Sequence, residues 1–153
     1  MKVEFINPFM ESTVNVLQTM AQVEATPGKP QRKEGDTANG DVTGVIRMAS
    51  EQVKGYLAIS FTSAAIFDIA KRMLSEELTE INSTVTDLVG EITNIVTGGA
   101  KQVLADQGYD FDMATPAVMT GKNYQINHTF NGAKIVIPFS ITAGKFYVEL
   151  SFE

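Results

Sequence analysis

The longest helical pattern in the chain is residues 83–108, STVTDLVGEITNIVTGGAKQVLADQG, and this stretch decides the fold. Apolar residues recur through it every three or four positions, which is the spacing of one face of an α-helix. Gly108 ends the pattern, and glycine is the residue that most commonly follows a helix C-terminus. We therefore predict a helix from about Ser83 to Gln107, around which the rest of the chain is organised.

This predicted helix has two chemically different faces. When successive residues are turned by about 100° around the axis, the apolar residues form one stripe that is expected to face the core. The stripe consists of Val85, Leu88, Val89, Ile92, Val96, Gly99 and Val103. The opposite side, called the polar face from here on, consists of Asp87, Glu91, Asn94, Gly98 and Lys101.

Glu91 and Asn94 are the two residues of the polar face best placed to act together. Side chains three positions apart on a helix are about 5–6 Å apart at Cβ, so both can reach one small target. Gly98 is unusual because glycine costs roughly 1 kcal/mol relative to alanine inside a helix, which indicates that something approaches the backbone there. A merely solvated helix carries the same residue types, so spacing alone leaves both interpretations open.

The other predicted elements are shorter. Asn7-Pro8 has the form of a helix N-cap followed by proline at the first helical position. Residues 27–41 are almost without apolar side chains and predict an exposed loop. Ser63 is a candidate N-cap for a second helix. Two hairpins are predicted, at residues 42–48 with 53–61 and at 134–141 with 145–152, and short β segments at 116–120 and 123–130. Thr-Ala-Gly joins the second hairpin, with glycine available for a positive φ.

The two halves of the chain follow the same order of elements. Each has a helix, the tripeptide Ala-Thr-Pro (residues 25–27 and 114–116), a polar loop with Gly-Lys, and a hairpin. The repeated order favours a duplicated unit. We predict a mixed α/β (α+β) fold in which duplicated helix-plus-antiparallel-hairpin units form one sheet, with long helices packed on one face. A chain of 153 residues fits a single domain, residues 1–153.

Composition excludes several classes of function. The net charge of −6, with lysine and arginine scattered along the chain, argues against binding to nucleic acid or to an anionic membrane. The chain has no cysteine and one histidine, His128, so a thiol nucleophile is excluded and no metal site is expected. No apolar stretch has the length of a signal core or a membrane span, and a cytoplasmic location is predicted.

A longer motif runs through the polar face. Asp87-x3-Glu91-x2-Asn94-x21-Pro116, set in Val-Gly-Glu-Ile-Thr-Asn-Ile-Val-Thr-Gly-Gly-Ala-Lys, resembles the signature of the CheC/CheX/FliY phosphatases of bacterial chemotaxis. Chain length, the helix opening with Asn7-Pro8-Phe9 and the terminal hairpin are most similar to the CheX branch. The resemblance covers nearly the whole chain.

The resemblance implies a function. Family members remove the phosphoryl group from the phosphoaspartate of CheY-type response regulators. By resemblance, Asn94 would orient the attacking water and Glu91 would pair with the partner's active-site lysine. Asp87 and Gly98 would belong to the surface that binds the partner, and Pro116 would shape the backbone where a strand begins. No cofactor is expected on this chain, because the magnesium ion would belong to the partner.

Two further expectations follow from the resemblance. Some CheC-type relatives carry a second Glu-x2-Asn site on the first helix, but here Glu11 is followed three positions later by Val14, with asparagine only at position 15. One site per chain is therefore expected, in a homodimer formed through sheet edges. The alternatives are a non-catalytic adaptor or flagellar-switch component that binds a response regulator through the same face, and a dimeric scaffold whose polar face is only solvated.

Overall fold

A computed structural model describes residues 3–35, 38–121 and 133–153. The helices are α1 (Val3–Ala21), α2 (Ser63–Leu74) and α3 (Ser83–Asp106). The strands are β1 (Thr26–Pro27), β2 (Gln31–Arg32), β3 (Val42–Ala49), β4 (Lys54–Phe61), β5 (Asp112–Met113), β6 (Ala117–Thr120), β7 (Lys134–Ile141) and β8 (Gly144–Phe152). The predicted strand at 123–130 and His128 lie outside the described residues.

All described strands belong to one antiparallel sheet, in the order β1-β7-β8-β4-β3-β5, with β2 also paired to β7 and β6 to β3. Because side chains alternate between the faces of a sheet, Leu57, Ile59 and Phe61 of β4 point to one side. They join the buried residues of all three helices in the main hydrophobic core. The predicted α+β fold, with helices packed on one face of the sheet, is confirmed.

Buried polar groups mark the other face of the sheet. Glu149 of β8 is 2% exposed, accepts a hydrogen bond from the Tyr56 hydroxyl and forms an ion pair with Lys33. This contact corrects the prediction for residues 27–41. Gln31, Arg32 and Glu34 are exposed, but β2 pairs with β7 and the Lys33 side chain is buried, because its charge is paired with that of Glu149.

Both hairpins are confirmed, but the reason given for glycine in the second one is wrong. The turn consists of Thr142 and Ala143, since Ile141 pairs directly with Gly144. Gly144 does not have a positive φ. A Cβ at this position would lie 3.2 Å from the Ala65 nitrogen and 3.2 Å from Thr62 Oγ1. Gly144 therefore allows the start of α2 to approach the hairpin closely.

The start of α1 differs from the prediction. The helix begins at Val3 rather than at Asn7-Pro8, and Pro8 lies inside it. Proline there removes one backbone hydrogen bond. The extra turn is stabilised because Phe5 is buried, with its ring centroid 4.9 Å from that of Tyr109 and 5.0 Å from that of Phe152. Aromatic packing thus outweighs the local preference for starting the helix at proline.

The start of α2 is shifted by one residue. Thr62 is its N-cap, and Ser63 is the first helical residue. Ser63 donates from both its backbone N–H (2.8 Å) and its hydroxyl (2.9 Å) to the Asp41 carboxylate. The first N–H groups of a helix have no partner within the helix. Asp41 accepts the hydrogen bond from one of them, the Ser63 N–H.

The predicted repeat is visible in how the strands pair. The short strand β1, which follows α1, pairs with β7 of the second hairpin, and β5, which follows α3, pairs with β3 of the first. The two Ala-Thr-Pro tripeptides do not occupy equivalent positions in this repeat. Thr26–Pro27 form β1, whereas residues 114–116 come after β5. Each half of the chain completes the sheet of the other.

Candidate functional site

Helix α3 carries the predicted site on a well-defined backbone. It begins after Asn82, whose side chain accepts a hydrogen bond of 3.1 Å from the Val85 N–H. It ends at Asp106, and Gly108 follows with φ of +95°. The predicted start and stop are both confirmed. The boundaries predicted from the apolar repeat and Gly108 agree with the Asn82 N-cap and the positive φ of Gly108 in the structure.

The polar face is accessible. Asp87, Glu91 and Asn94 are exposed, and Gly98 and Lys101 are half-buried. Glu91 and Asn94 lie one turn apart on the same side of α3, so a carboxylate acceptor and an amide with both donor and acceptor capacity stand side by side. The amide can bind a water molecule while the neighbouring carboxylate binds a cationic group.

The buried face of α3 matches the prediction through Val96 and departs from it beyond that point. Val103 is 38% exposed, and Gly99 is exposed as well. The last turns instead bury Thr97, Ala100 and Leu104. The cause is a groove between α1 and α3 that leaves Gly99 and Val103 uncovered on one side. Helical periodicity identifies an apolar stripe but not how completely a neighbouring helix covers it.

A second, open groove lies between α3 and the segment that follows β5. We call it the Pro116 groove. It is lined by Thr86, Asp87, Gly90, Asn94, Met113, Ala114, Thr115, Pro116 and Val118. The structure therefore brings three of the five predicted site residues, Asp87, Asn94 and Pro116, to one groove. Glu91 and Gly98 are not among its lining residues and lie further around the polar face.

The wall opposite α3 is held in place by backbone pairing. Ala114 donates its N–H to the Arg47 carbonyl at 2.9 Å, and β6 begins at Ala117 on its partner strand β3. Pro116 lies between these two points, immediately before β6. Gly90 was not predicted as a site residue, although it lies within the motif. A Cβ there would be 3.5 Å from Val118 Cγ2, so Gly90 is where α3 comes close to β6.

Two adjacent glycines of α3 have different surroundings. A Cβ built on Gly99 would lie 2.5 Å from Ser12 Oγ of α1, so Gly99 is required by the packing of the two helices. A Cβ built on Gly98 would meet nothing within 4 Å. No contact within the described residues explains glycine at position 98, and the backbone of the polar face is open to an approaching molecule.

The described residues contain no group of three or more histidine, cysteine, aspartate or glutamate side chains that could hold a metal ion. Among the helices that the structure describes, none is long and apolar enough to cross a membrane. The site consists of the exposed side chains of the polar face, the helix backbone at Gly98 and the adjoining Pro116 groove.

Comparison with known proteins gives one family. The family model described as "Chemotaxis phosphatase CheX" matches residues 42–140. A CheC-like superfamily protein from Shewanella sp. PV-4 is 53% identical over 100% of this chain and 99% of that chain, with a TM-score of 0.93. The chemotaxis protein CheX from Vibrio vulnificus is 48% identical over 98% of this chain and 99% of that one, with a TM-score of 0.91.

A more distant structure shares the fold. The CheX–CheY–BeF3–Mg²⁺ complex from Borrelia burgdorferi matches at 24% identity over 99% of each chain, with a TM-score of 0.84. No curated protein matches the chain.

Proposed function

Because the chain belongs to the chemotaxis phosphatase CheX family, we propose that it removes the phosphoryl group from the phosphoaspartate of a CheY-type response regulator. The observation that carries this proposal is the polar face itself. Glu91 and Asn94 are exposed one turn apart on α3, beside a glycine with nothing around its Cβ position. This is a surface suited to inserting two side chains into another protein's active site.

Asn94 would act on the attacking water. Hydrolysis of a phosphoryl group depends on an in-line nucleophile and on stabilisation of charge more than on covalent chemistry by the catalyst. A carboxamide can accept a hydrogen bond from water and donate another without changing its protonation state. Asn94 also lines the Pro116 groove, which leaves room beside its amide for the partner's phosphoryl group and the water.

Glu91 would dock the partner rather than serve as a base. As an exposed carboxylate one turn from Asn94, it can pair with the lysine of the partner's active site and set the register of the complex. Magnesium would be held by the partner. The complex of the Borrelia relative contains CheX, CheY, BeF3 and Mg²⁺, which supports an arrangement in which the metal and the phosphoryl group come with the regulator.

Gly98 and Asp87 would extend the docking surface on either side of the reactive pair. Gly98 allows the partner's backbone to approach α3, because no side chain stands above the helix there. Asp87 lines the Pro116 groove and adds negative charge to the docking surface beside Asn94. A homodimer through the sheet edges and a cytoplasmic location remain predictions. The edges of the described sheet are β1 and β2 on one side and β5 and β6 on the other.

The proposal is tested by following phosphate release from a phosphorylated CheY-type regulator with magnesium present. We expect the wild-type protein to accelerate release and Asn94→Ala to lose about 10²- to 10³-fold, as when one positioned polar group is removed from an active site. Asn15→Ala, an exposed asparagine on α1, is the matched control and should retain wild-type activity.

The same assay separates the alternatives. Binding of the regulator without faster phosphate release would favour the adaptor or flagellar-switch component. Failure to bind any phosphorylated regulator, together with no effect of Glu91→Lys, would favour the dimeric scaffold. Chelation of magnesium should stop the reaction, and titration of magnesium into the isolated chain should show no binding.

A further inference from the structure

The groove between α1 and α3, called the α1/α3 groove from here on, leaves apolar side chains uncovered. Its walls include Val16 and Met20 of α1 and Ile95, Gly99 and Val103 of α3. Its volume is about 390 Å³, within the range of roughly 300–1,000 Å³ over which protein clefts bind other molecules. Exposed apolar surface that is continuous in this way typically marks a binding surface.

Val103 shows most directly that the groove is uncovered. It is 38% exposed, and among the described residues only one other large hydrophobic side chain is exposed to a similar degree, Leu74 at the end of α2 with 41%. Leu74 does not line the groove, and single exposed hydrophobic residues are normal on protein surfaces. Val103 instead continues an apolar wall that Ile95 and Gly99 begin.

The α1/α3 groove begins where the polar face ends. Ile95 directly follows Asn94 in α3, so the two are turned by about 100° around the helix axis. Gly99 follows Gly98 in the same way. A Cβ on Gly98 would meet nothing within 4 Å, so no side chain separates the two surfaces at this turn. A partner that rests on the backbone at Gly98 therefore also faces the groove.

The area that a partner must cover reaches into this groove. A specific interface buries about 800 Å² on each partner, which corresponds to a patch of about 16 Å radius. At 1.5 Å per residue, Gly99 and Val103 lie about 8 Å and 14 Å from Asn94 along α3. A patch of the usual size centred on Asn94 therefore includes both residues.

The polar face lacks what the centre of an interface usually contains. It supplies charged groups, one amide and bare backbone, but no large apolar side chain. The buried centre of a protein interface is depleted of charge and is more apolar than its rim. The α1/α3 groove, which borders the polar face, supplies the missing apolar surface.

We propose that the α1/α3 groove binds a large apolar side chain on the surface of the same response regulator whose phosphoaspartate reaches Asn94. The proposal rests on the function proposed above. In the complex the regulator lies across α3, with its phosphorylation site at the polar face and the apolar side chain between Val16 and Val103. This contact adds affinity and takes no part in the chemical step, because Val103 is about 14 Å from Asn94. The exposed polar residues Glu11 and Asn15 stay in contact with water and take no part in the apolar contact.

Charged substitutions at Val103 test the proposal. The dissociation constant of a phosphorylated CheY-type regulator is measured for Val103→Lys and Val103→Glu, together with the rate of phosphate loss at saturating concentrations. Both variants should raise the dissociation constant about tenfold or more, because either charge must lose its hydration when the apolar side chain enters the groove. The rate at saturation should stay at the wild-type value. Val103→Ile, which keeps the apolar surface, should bind like the wild type.

Leu74→Lys and Leu74→Glu are the matched controls, because Leu74 is about as exposed as Val103 but does not line the groove. They should leave the dissociation constant unchanged. The use of both charges separates an apolar contact from long-range electrostatics, which would shift the dissociation constant in opposite directions for lysine and glutamate. Circular dichroism and thermal melting show whether each variant is folded.

The proposal is overturned if a folded Val103 variant of either charge binds the regulator as tightly as the wild type, or if the two charges act in opposite directions. Light scattering covers the other occupant. Loss of a dimer in the Val103 variants, with unchanged affinity for the regulator, would assign the groove to a second copy of the chain and overturn the proposal. Binding that depends on Val103 without faster phosphate release would support the proposal for the groove and overturn the proposed phosphatase function. A wild-type chain that binds no phosphorylated regulator would overturn both.

Discussion

Both faces of α3 carry glycine and uncharged polar side chains, but the surroundings of these residues differ. On the face packed against α1 and the sheet, glycine and threonine have partners inside the chain: Gly99 makes room for Ser12, and Thr93 and Thr97 each donate 2.7 Å hydrogen bonds to carbonyls of the preceding turn. On the polar face, Gly98 and Asn94 have no such explanation within the described residues. The packed face therefore serves the fold, whereas the polar face is accessible to a partner.

The largest expected effect lies on the packed face. Leu104→Ala removes a side chain that is 0% exposed and leaves a cavity, so we expect a loss of about 2–5 kcal/mol in the free energy of unfolding. Urea denaturation measures this loss. Phosphatase activity per folded molecule should stay at the wild-type level. A large change in this activity would show that the packed face also contributes to function.

Gly99→Ala should also act on the fold. The added Cβ would lie 2.5 Å from Ser12 Oγ, and the resulting overpacking is expected to destabilise the protein by about 1–3 kcal/mol. The double variant Ser12→Gly with Gly99→Ala is the control, because it restores the space between α1 and α3. If Gly99→Ala were as stable as the wild type, the close contact of the helices would be contradicted.

Glu91→Gln should act on docking alone. It keeps the shape of the side chain but replaces a charge-assisted hydrogen bond to the partner's lysine with a neutral one, which weakens binding by about 1 kcal/mol, roughly fivefold. The dissociation constant for a phosphorylated regulator measures the change. High salt should reduce the difference between the two proteins, and a difference independent of salt would argue against an ion pair.

Gly98→Ala should change the stability less than Gly99→Ala does, and in the opposite direction. With nothing within 4 Å of the added Cβ, the variant is expected to gain up to about 1 kcal/mol in stability, because alanine favours helix over glycine. Binding of the regulator should weaken, since the methyl group stands where its backbone approaches. A variant that is more stable and binds normally would show that Gly98 has no role in docking.

The sequence was sufficient for the elements whose signals are local. The boundaries of α3 and the two hairpins follow from apolar periodicity, caps and β-rich runs, and the exposed Glu91/Asn94 pair follows from the position of these residues on α3. The start of α1 could not be read in this way. It depends on Phe5 packing against Tyr109 and Phe152, which are distant in sequence.

Other features depend on contacts that periodicity does not contain. The two-residue strands β1 and β5 pair with the hairpin of the opposite half of the chain. Because these partners are distant in sequence, the residues around β1 and β5 do not predict a strand. The Pro116 groove exists because residues 113–118 are held on β3 opposite α3, and Gly90 becomes part of it only through that packing. The groove that exposes Gly99 and Val103 arises in the same way, from the separation of α1 and α3.

The role proposed for Asn94 is to position the attacking water in the chemical step. The most direct measurement is the rate of phosphate loss from a phosphorylated regulator in single turnover, at concentrations of this protein that saturate binding. We predict that Asn94→Ala remains about 10²- to 10³-fold slow at saturation, whereas Gly98→Ala approaches the wild-type rate. If Asn94→Ala reached the wild-type rate at saturation, Asn94 would only bind the partner and the account would be contradicted.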